Sequence, residues 1–187
     1  MTVRELDAMV PADPPFYDDR LFDDGGDNAR PDARYMAKLV RHLSPRFIVE
    51  LGTSRGRTAA QIAAALPIGS RFTTINWPNP PSGDDVGVEL LPWRSDPRIT
   101  LELGDTRDEV WRFTDETIDL LYIDSGTIHE YALVSVEWEL YRPKLVDGAV
   151  VIADDINDND MRRWWNPLPY DKCEVWGGSA GMFYFRR

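Results

Sequence analysis

The chain has 187 residues, 43% hydrophobic and 11% aromatic, which suits one folded domain with its own core and not a disordered segment. Against 21 Lys and Arg stand 32 Asp and Glu, a net charge of −11, so the basic face of a duplex- or tRNA-binding protein is not expected and a small molecule is the expected substrate. One cysteine, Cys173, excludes an internal disulfide and a cysteine-built zinc site; no apolar run nears the ~20 residues that span a bilayer, and "MTVRELDAMVPADPP" has no apolar signal-peptide core, so no membrane partner is expected and the expected location is cytoplasmic.

Residues 1–29 are rich in Pro, Asp and Gly and read as a leader, or as a lid that could bury Phe16, Tyr17, Leu21 and Phe22. From residue 30 the pattern is regular to residue 187 and reads as one domain. "PDARYMAKLVRHL" predicts a helix, with Pro near its start and apolar residues at helical spacing. "RFIVEL" predicts a buried strand, "TAAQIAAAL" a helix and "RFTTIN" a second strand, followed by the loop "WPNPPSGDD". "ITLELG" is a third strand and "DTRDEVWRF" a short helix. "IDLLYID" is a fourth strand, apolar enough for the middle of a parallel sheet. "EYALVSVEWELYRPKL" is a helix with Tyr131, Val134, Trp138 and Tyr141 near one face, and "GAVVIADD" a fifth strand. "KCEVWGGSAGMFYFRR" predicts two strands joined at Gly177–Gly181. Alternating strands and helices closed by a hairpin give an α/β class: an open, doubly wound, mostly parallel sheet with helices on both faces and an antiparallel C-terminal hairpin.

In such folds ligands bind beyond the carboxyl ends of the strands, where strand order reverses. The first strand ends "Glu50-Leu51-Gly52-Thr53-Ser54-Arg55-Gly56". Gly52 and Gly56 permit a tight turn and close approach of a ligand to backbone. Neither a G-x-G-x-x-G fingerprint nor a Gly-Lys-Ser/Thr loop is present, and Glu50 repels phosphate, so the stretch suits a ligand with an amine or several hydroxyls; the alternative is an ordinary strand-to-helix turn. Asn76 ends the second strand, where an acid often holds ribose hydroxyls, or it is a plain loop residue. Asp105 could accept from an exocyclic amine, cap the next helix, or both. Asp124, after the fourth strand, and Asp154-Asp155, after the fifth, can converge; oxygen ligands suit Mg²⁺, Ca²⁺ or Mn²⁺, and the alternative is capping plus solvation in the acidic "DDINDND". His129, just past Asp124, is a candidate base, or structural. Trp77, Trp93, Trp164 and Trp165 could line an acceptor pocket or belong to the core.

"VELGTSRGRTA" resembles motif I of the class I S-adenosylmethionine-dependent methyltransferases, an E/D-x-G-x-x-x-G pattern matched by Glu50, Gly52 and Gly56. "ELGDT" resembles the third-strand motif of the same family. "IDLLYIDSGTIHEYALVSVEWELYRPKLVDGAVVIADDI" is similar to the fourth- and fifth-strand block of methyltransferase-24 and cephalosporin hydroxylase-like small-molecule O-methyltransferases. The resemblance covers about residues 30–187 and implies a seven-stranded Rossmann-like methyltransferase fold. It implies a cofactor site at Glu50, Gly52, Thr53, Gly56, Asn76, Asp105 and Asp124 for S-adenosylmethionine, with Glu50 near its ammonium and Asp105 by its adenine amine. It implies a Mg²⁺ site at Asp124, Asp154 and Asp155, and a catalytic role for Asp124 and for His129 as base. Asn76 departs from the family's acid, and His129 lies two residues farther from Asp124 than in the common Asp-Gly-Asp-His form. The expected function is methyl transfer to a hydroxyl of a small-molecule acceptor, with self-association left open. The rivals are a related cofactor- and metal-binding enzyme that hydroxylates or cyclises, and a non-catalytic ligand-binding relative.

Overall fold

The structure, a computed structural model, describes residues 5, 31–80, 83, 85–126, 130–175 and 179–187. The leader or lid read into residues 1–29 (Glu5 apart), the candidate base His129, and Gly177 and Gly178 of the hairpin turn lie outside the described residues.

In chain order the elements are α1 (Pro31–Leu43), β1 (Phe47–Leu51), α2 (Arg57–Ala65), β2 (Arg71–Asn76), β3 (Ile99–Leu103), α3 (Thr106–Glu109), β4 (Ile118–Ile123), α4 (Tyr131–Tyr141), β5 (Leu145–Ala153), α5 (Arg162–Trp165), β6 (Lys172–Val175) and β7 (Ala180–Tyr184). Short 3₁₀ turns follow α3 and α4, at Val110–Arg112 and Arg142–Lys144. A third 3₁₀ helix, Val88–Trp93, lies in the connection between β2 and β3.

The strands form one seven-stranded sheet in the order β3-β2-β1-β4-β5-β7-β6. The first five pair in parallel; β7 runs antiparallel to β5, and β6 antiparallel to β7. This matches the expected mostly parallel sheet with a C-terminal hairpin. Strand side chains alternate between the two faces, so neighbouring residues join different cores. Ile48, Phe72, Leu120 and Ile152 pack with α1 and α2. Val49, Ile75, Leu121, Val151 and Phe183 pack with α4 and α5. Trp164 and Trp165 sit in this second core, so they do not line a pocket; Trp93 packs against the first core, while Trp77 is exposed. Among the described residues no helix is long and apolar enough to cross a membrane.

Candidate functional site

The sheet order reverses between β1 and β4: β1 continues to β2 on one side, and the chain returns on the other through β4 and β5. At this switch point the strand ends are sewn together by backbone. The Gly52 N–H donates to Ile75 O at 2.9 Å, the Asp124 N–H to Leu51 O at 2.8 Å and the Asp154 N–H to Ile123 O at 2.9 Å. Gly52 has φ +96°, and a Cβ built on it would lie 2.0 Å from Asp124 O. Only glycine fits between the β1 turn and the end of β4. Gly56 has φ +88° and precedes the first turn of α2, which carries no side-chain cap.

The loop between the two glycines is held from the side of β2. Asn76 Oδ1 accepts from the N–H groups of Thr53 and Ser54, both at 2.9 Å, and its Nδ2 donates to Trp77 O at 2.9 Å. The residue that stands for the family's ribose-binding acid therefore supports the glycine loop. The loop's outer carbonyls are covered too: the Gly87 N–H donates to Ser54 O and the Glu89 N–H to Arg55 O, each at 2.9 Å. Arg55 pairs with Glu89 at 3.4 Å, a role its sequence context did not disclose.

Glu50 lies beneath this loop, 1% exposed. In the register it is flanked by Thr74 of β2 and Tyr122 of β4. The Thr74 hydroxyl donates to Glu50 Oε2 at 2.5 Å, and Thr53 Oγ1 lies 2.6 Å from Thr74 Oγ1. Since Thr74 uses its hydrogen on Glu50, Thr53 donates to Thr74. A line of hydroxyls thus joins the loop to the acid. Burial pushes the Glu50 carboxyl up to about 8, against the lowering effect of the Thr74 hydrogen bond. A carboxyl raised this far keeps its proton at neutral pH.

One strand over, the Tyr122 hydroxyl reaches Asp124 Oδ2 at 3.2 Å and Asp154 Oδ2 at 3.1 Å. Two carboxylates from adjacent strand ends thus share one phenol. Asp154 is buried and Asp124 half-buried. Asp155 turns away from strand geometry, with φ +49°, and its N–H donates to Asp154 Oδ1 at 2.9 Å. Among the described residues no group of three or more His, Cys, Asp or Glu is placed to hold a metal ion. The trio expected at Asp124, Asp154 and Asp155 is therefore not assembled as a set, and what converges is the pair Asp124 and Asp154.

Asp105 caps α3, accepting from the Arg107 N–H at 2.9 Å, and also takes the Arg107 guanidinium at 2.8 and 2.5 Å. Hydrogen bonding to Arg107 holds its carboxyl below the usual range, against partial burial. Reading residues in sequence missed three polar groups here: Thr74, Tyr122 and Glu137. For Thr74 and Tyr122 the signal was available, because each lies two residues before a strand-end candidate, Asn76 or Asp124, on the same face of its own strand.

A family model described as a methyltransferase domain, that of the methyltransferase-24 family, matches residues 49–156, more than half of the chain. The chain belongs to the methyltransferase-24 family. In this methyltransferase domain the matched segment runs from β1, just ahead of Glu50, to just past Asp154 and Asp155, so it contains every site residue named above. The fold is shared with solved structures of low sequence identity. A candidate O-methyltransferase from Klebsiella pneumoniae has TM-score 0.67 at 17% identity, over 98% of this chain and 95% of that one. The O-methyltransferase TomG from Streptomyces achromogenes, involved in tomaymycin synthesis and solved in complex with SAM, has TM-score 0.61 at 19% identity, over 84% and 80%. An O-methyltransferase from Bacillus cereus in complex with SAH has TM-score 0.61 at 18% identity, over 97% and 87%. A search of curated proteins found no match.

Proposed function

We propose that this protein transfers the methyl group of S-adenosylmethionine to a hydroxyl oxygen of a small molecule. One observation carries the reading: two acidic stations stand side by side on one sheet face at the switch point. Glu50 lies under the glycine loop, and the Asp124–Asp154 pair lies one strand over, linked by Tyr122. The TomG and Bacillus cereus structures, bound to SAM and SAH, support the cofactor assignment.

The cofactor, when bound, supplies an electrophilic methyl on a sulfonium. The chain's own residues position and hold charge. Glu50 would hold the ammonium end, and that positive charge would favour its ionised form. The lack of a side chain at Gly52 lets the β1 turn close against the end of β4, which fixes the floor of the site. Asp105, which caps α3, would stand by the adenine amine. Asp124 and Asp154 are hard oxygen donors, and Mg²⁺ commonly takes only one or two protein carboxylates with water and substrate completing the shell. The pair therefore fits a divalent cation, which would lower the pKa of an acceptor hydroxyl. His129 is proposed as the base that accepts the hydroxyl proton. Held over the glycine loop, the sulfonium would supply the methyl group to that oxygen, sulfur taking the electrons of the broken carbon–sulfur bond.

The test is calorimetric titration with S-adenosylhomocysteine, with and without Mg²⁺, followed by methyl transfer to a panel of catechols, phenols and sugars. Cofactor binding by the unmodified protein, and Mg²⁺-dependent turnover lost in Asp154→Ala, are expected. Absence of binding at high micromolar protein overturns the cofactor reading. Turnover indifferent to chelator and to Asp154→Ala removes the cation.

A further inference from the structure

Glu137 is fully buried on the sheet-facing side of α4, and the reaction proposed above does not use it. Its two oxygens take hydroxyls from two different strand ends. Ser125 Oγ donates to Oε2 at 2.5 Å, and Thr106 Oγ1 donates to Oε1. Tyr141, one turn further along α4, donates its hydroxyl to Thr106 O at 2.7 Å. Ser125 directly follows Asp124. Thr106 directly follows Asp105 and opens the helix that Asp105 caps. The hydroxyl partners are themselves buried, Ser125 at 4% exposure and Thr106 at 8%. A well-packed apolar side chain at such a position is usually as stable as a buried carboxyl or more so. Stability alone therefore gives no reason for an acid with one fork tine on each strand end.

We propose that Glu137 is a positioning residue that sets the separation of Asp105 and Asp124, and with it the span of the cofactor site between its adenine end and its reacting end. The identity of what the two aspartates hold rests on the methyltransferase reading; the clamp does not. Burial pushes the Glu137 carboxyl up to about 7; the Ser125 and Thr106 hydrogen bonds lower it, Asp105 acts with burial and Arg107 against it. Ser and Thr hydroxyls both donate and accept, so the fork holds with either protonation state. It does not hold when the acid is removed.

The test combines hydrogen exchange with S-adenosylhomocysteine titration on the full chain. Glu137→Ala is expected to speed exchange at both strand ends, residues 104–108 and 123–126, and to weaken the ligand roughly 10-fold, the scale at which supporting residues act on a site. Glu137→Gln, which can still bond both hydroxyls, is expected to restore both readouts. Thr106→Val and Ser125→Ala should each loosen only its own end, and they carry the test if Glu137→Ala does not fold. Faster exchange confined to α4, or unchanged affinity with both ends loosened, overturns the proposal, as does unchanged exchange and affinity in both single hydroxyl variants. If the unmodified protein binds no S-adenosylhomocysteine, the cofactor reading falls and the exchange arm alone decides the clamp.

Discussion

Glu50 holds its proton to about pH 8 in the folded protein because burial disfavours the charged form. In an unfolded chain a glutamate ionises near its model value of 4.5. Between those two values the folded state binds more protons than the unfolded one, so stability is complete below the lower value and falls as pH rises toward the upper. Glu50→Gln removes the titration and keeps the shape. Thermal melts should show the variant more stable than the parent at pH 7, with the gap closing toward pH 4.5, while its affinity for S-adenosylhomocysteine falls. Equal melting temperatures at pH 7 would mean that Glu50 is already ionised when folded. The glycine turn at Gly52 and Gly56 was legible in the sequence because its positive-φ backbone leaves few residues that fit there. Asn76 was not, since a carboxamide gives no hint of whether it faces a ligand or the loop beside it. Glu137 was partly legible: it lies three residues after Val134 and four before Tyr141, on the face that helical periodicity buries, yet an acid in "VEWEL" reads as solvated.

Among the elements, α4 binds the C-terminal hairpin to the parallel sheet. Trp138 meets Trp164, Tyr170, Phe183 and Phe185 edge-on, with centroids 5.5–6.1 Å apart. Tyr170 and Phe183 stack at 4.8 Å. Trp138→Ala should cost about 3–5 kcal/mol, the range for deleting a large buried aromatic. Urea unfolding should therefore shift to a lower midpoint with an unchanged slope; a shift worth under about 1 kcal/mol would mean the cluster closes over the gap. Every strand was visible in advance, because alternation or an unbroken apolar run marks each of them. The 3₁₀ helix Val88–Trp93 was not, since no periodicity marks those residues and its form depends on packing: Leu90 is buried in the first core, and Gly87 and Glu89 bind the glycine turn. The tryptophans of α5 were ambiguous for a related reason, as indole suits a pocket wall and a core equally well.

For the whole molecule, a net charge of −11 on 187 residues works against compaction. Several ion pairs offset it locally, among them Arg112 with Glu102 and Glu109, but exposed pairs contribute little each. Screening the excess should dominate, so melting temperature is expected to rise as NaCl is increased from about 10 mM to about 200 mM, where the Debye length falls well below the molecule's diameter. A fall would show that the ion pairs outweigh the net repulsion. The place of the last strand has another consequence. β7, residues 180–184, is not at the sheet margin but is inserted between β5 and β6. During synthesis all five parallel strands emerge before β7, leaving β5 with a bare row of N–H and C=O groups along an apolar strand until β7 arrives. The newborn chain is most open to strand pairing with its neighbours in that interval, and the insertion of β7 ends it.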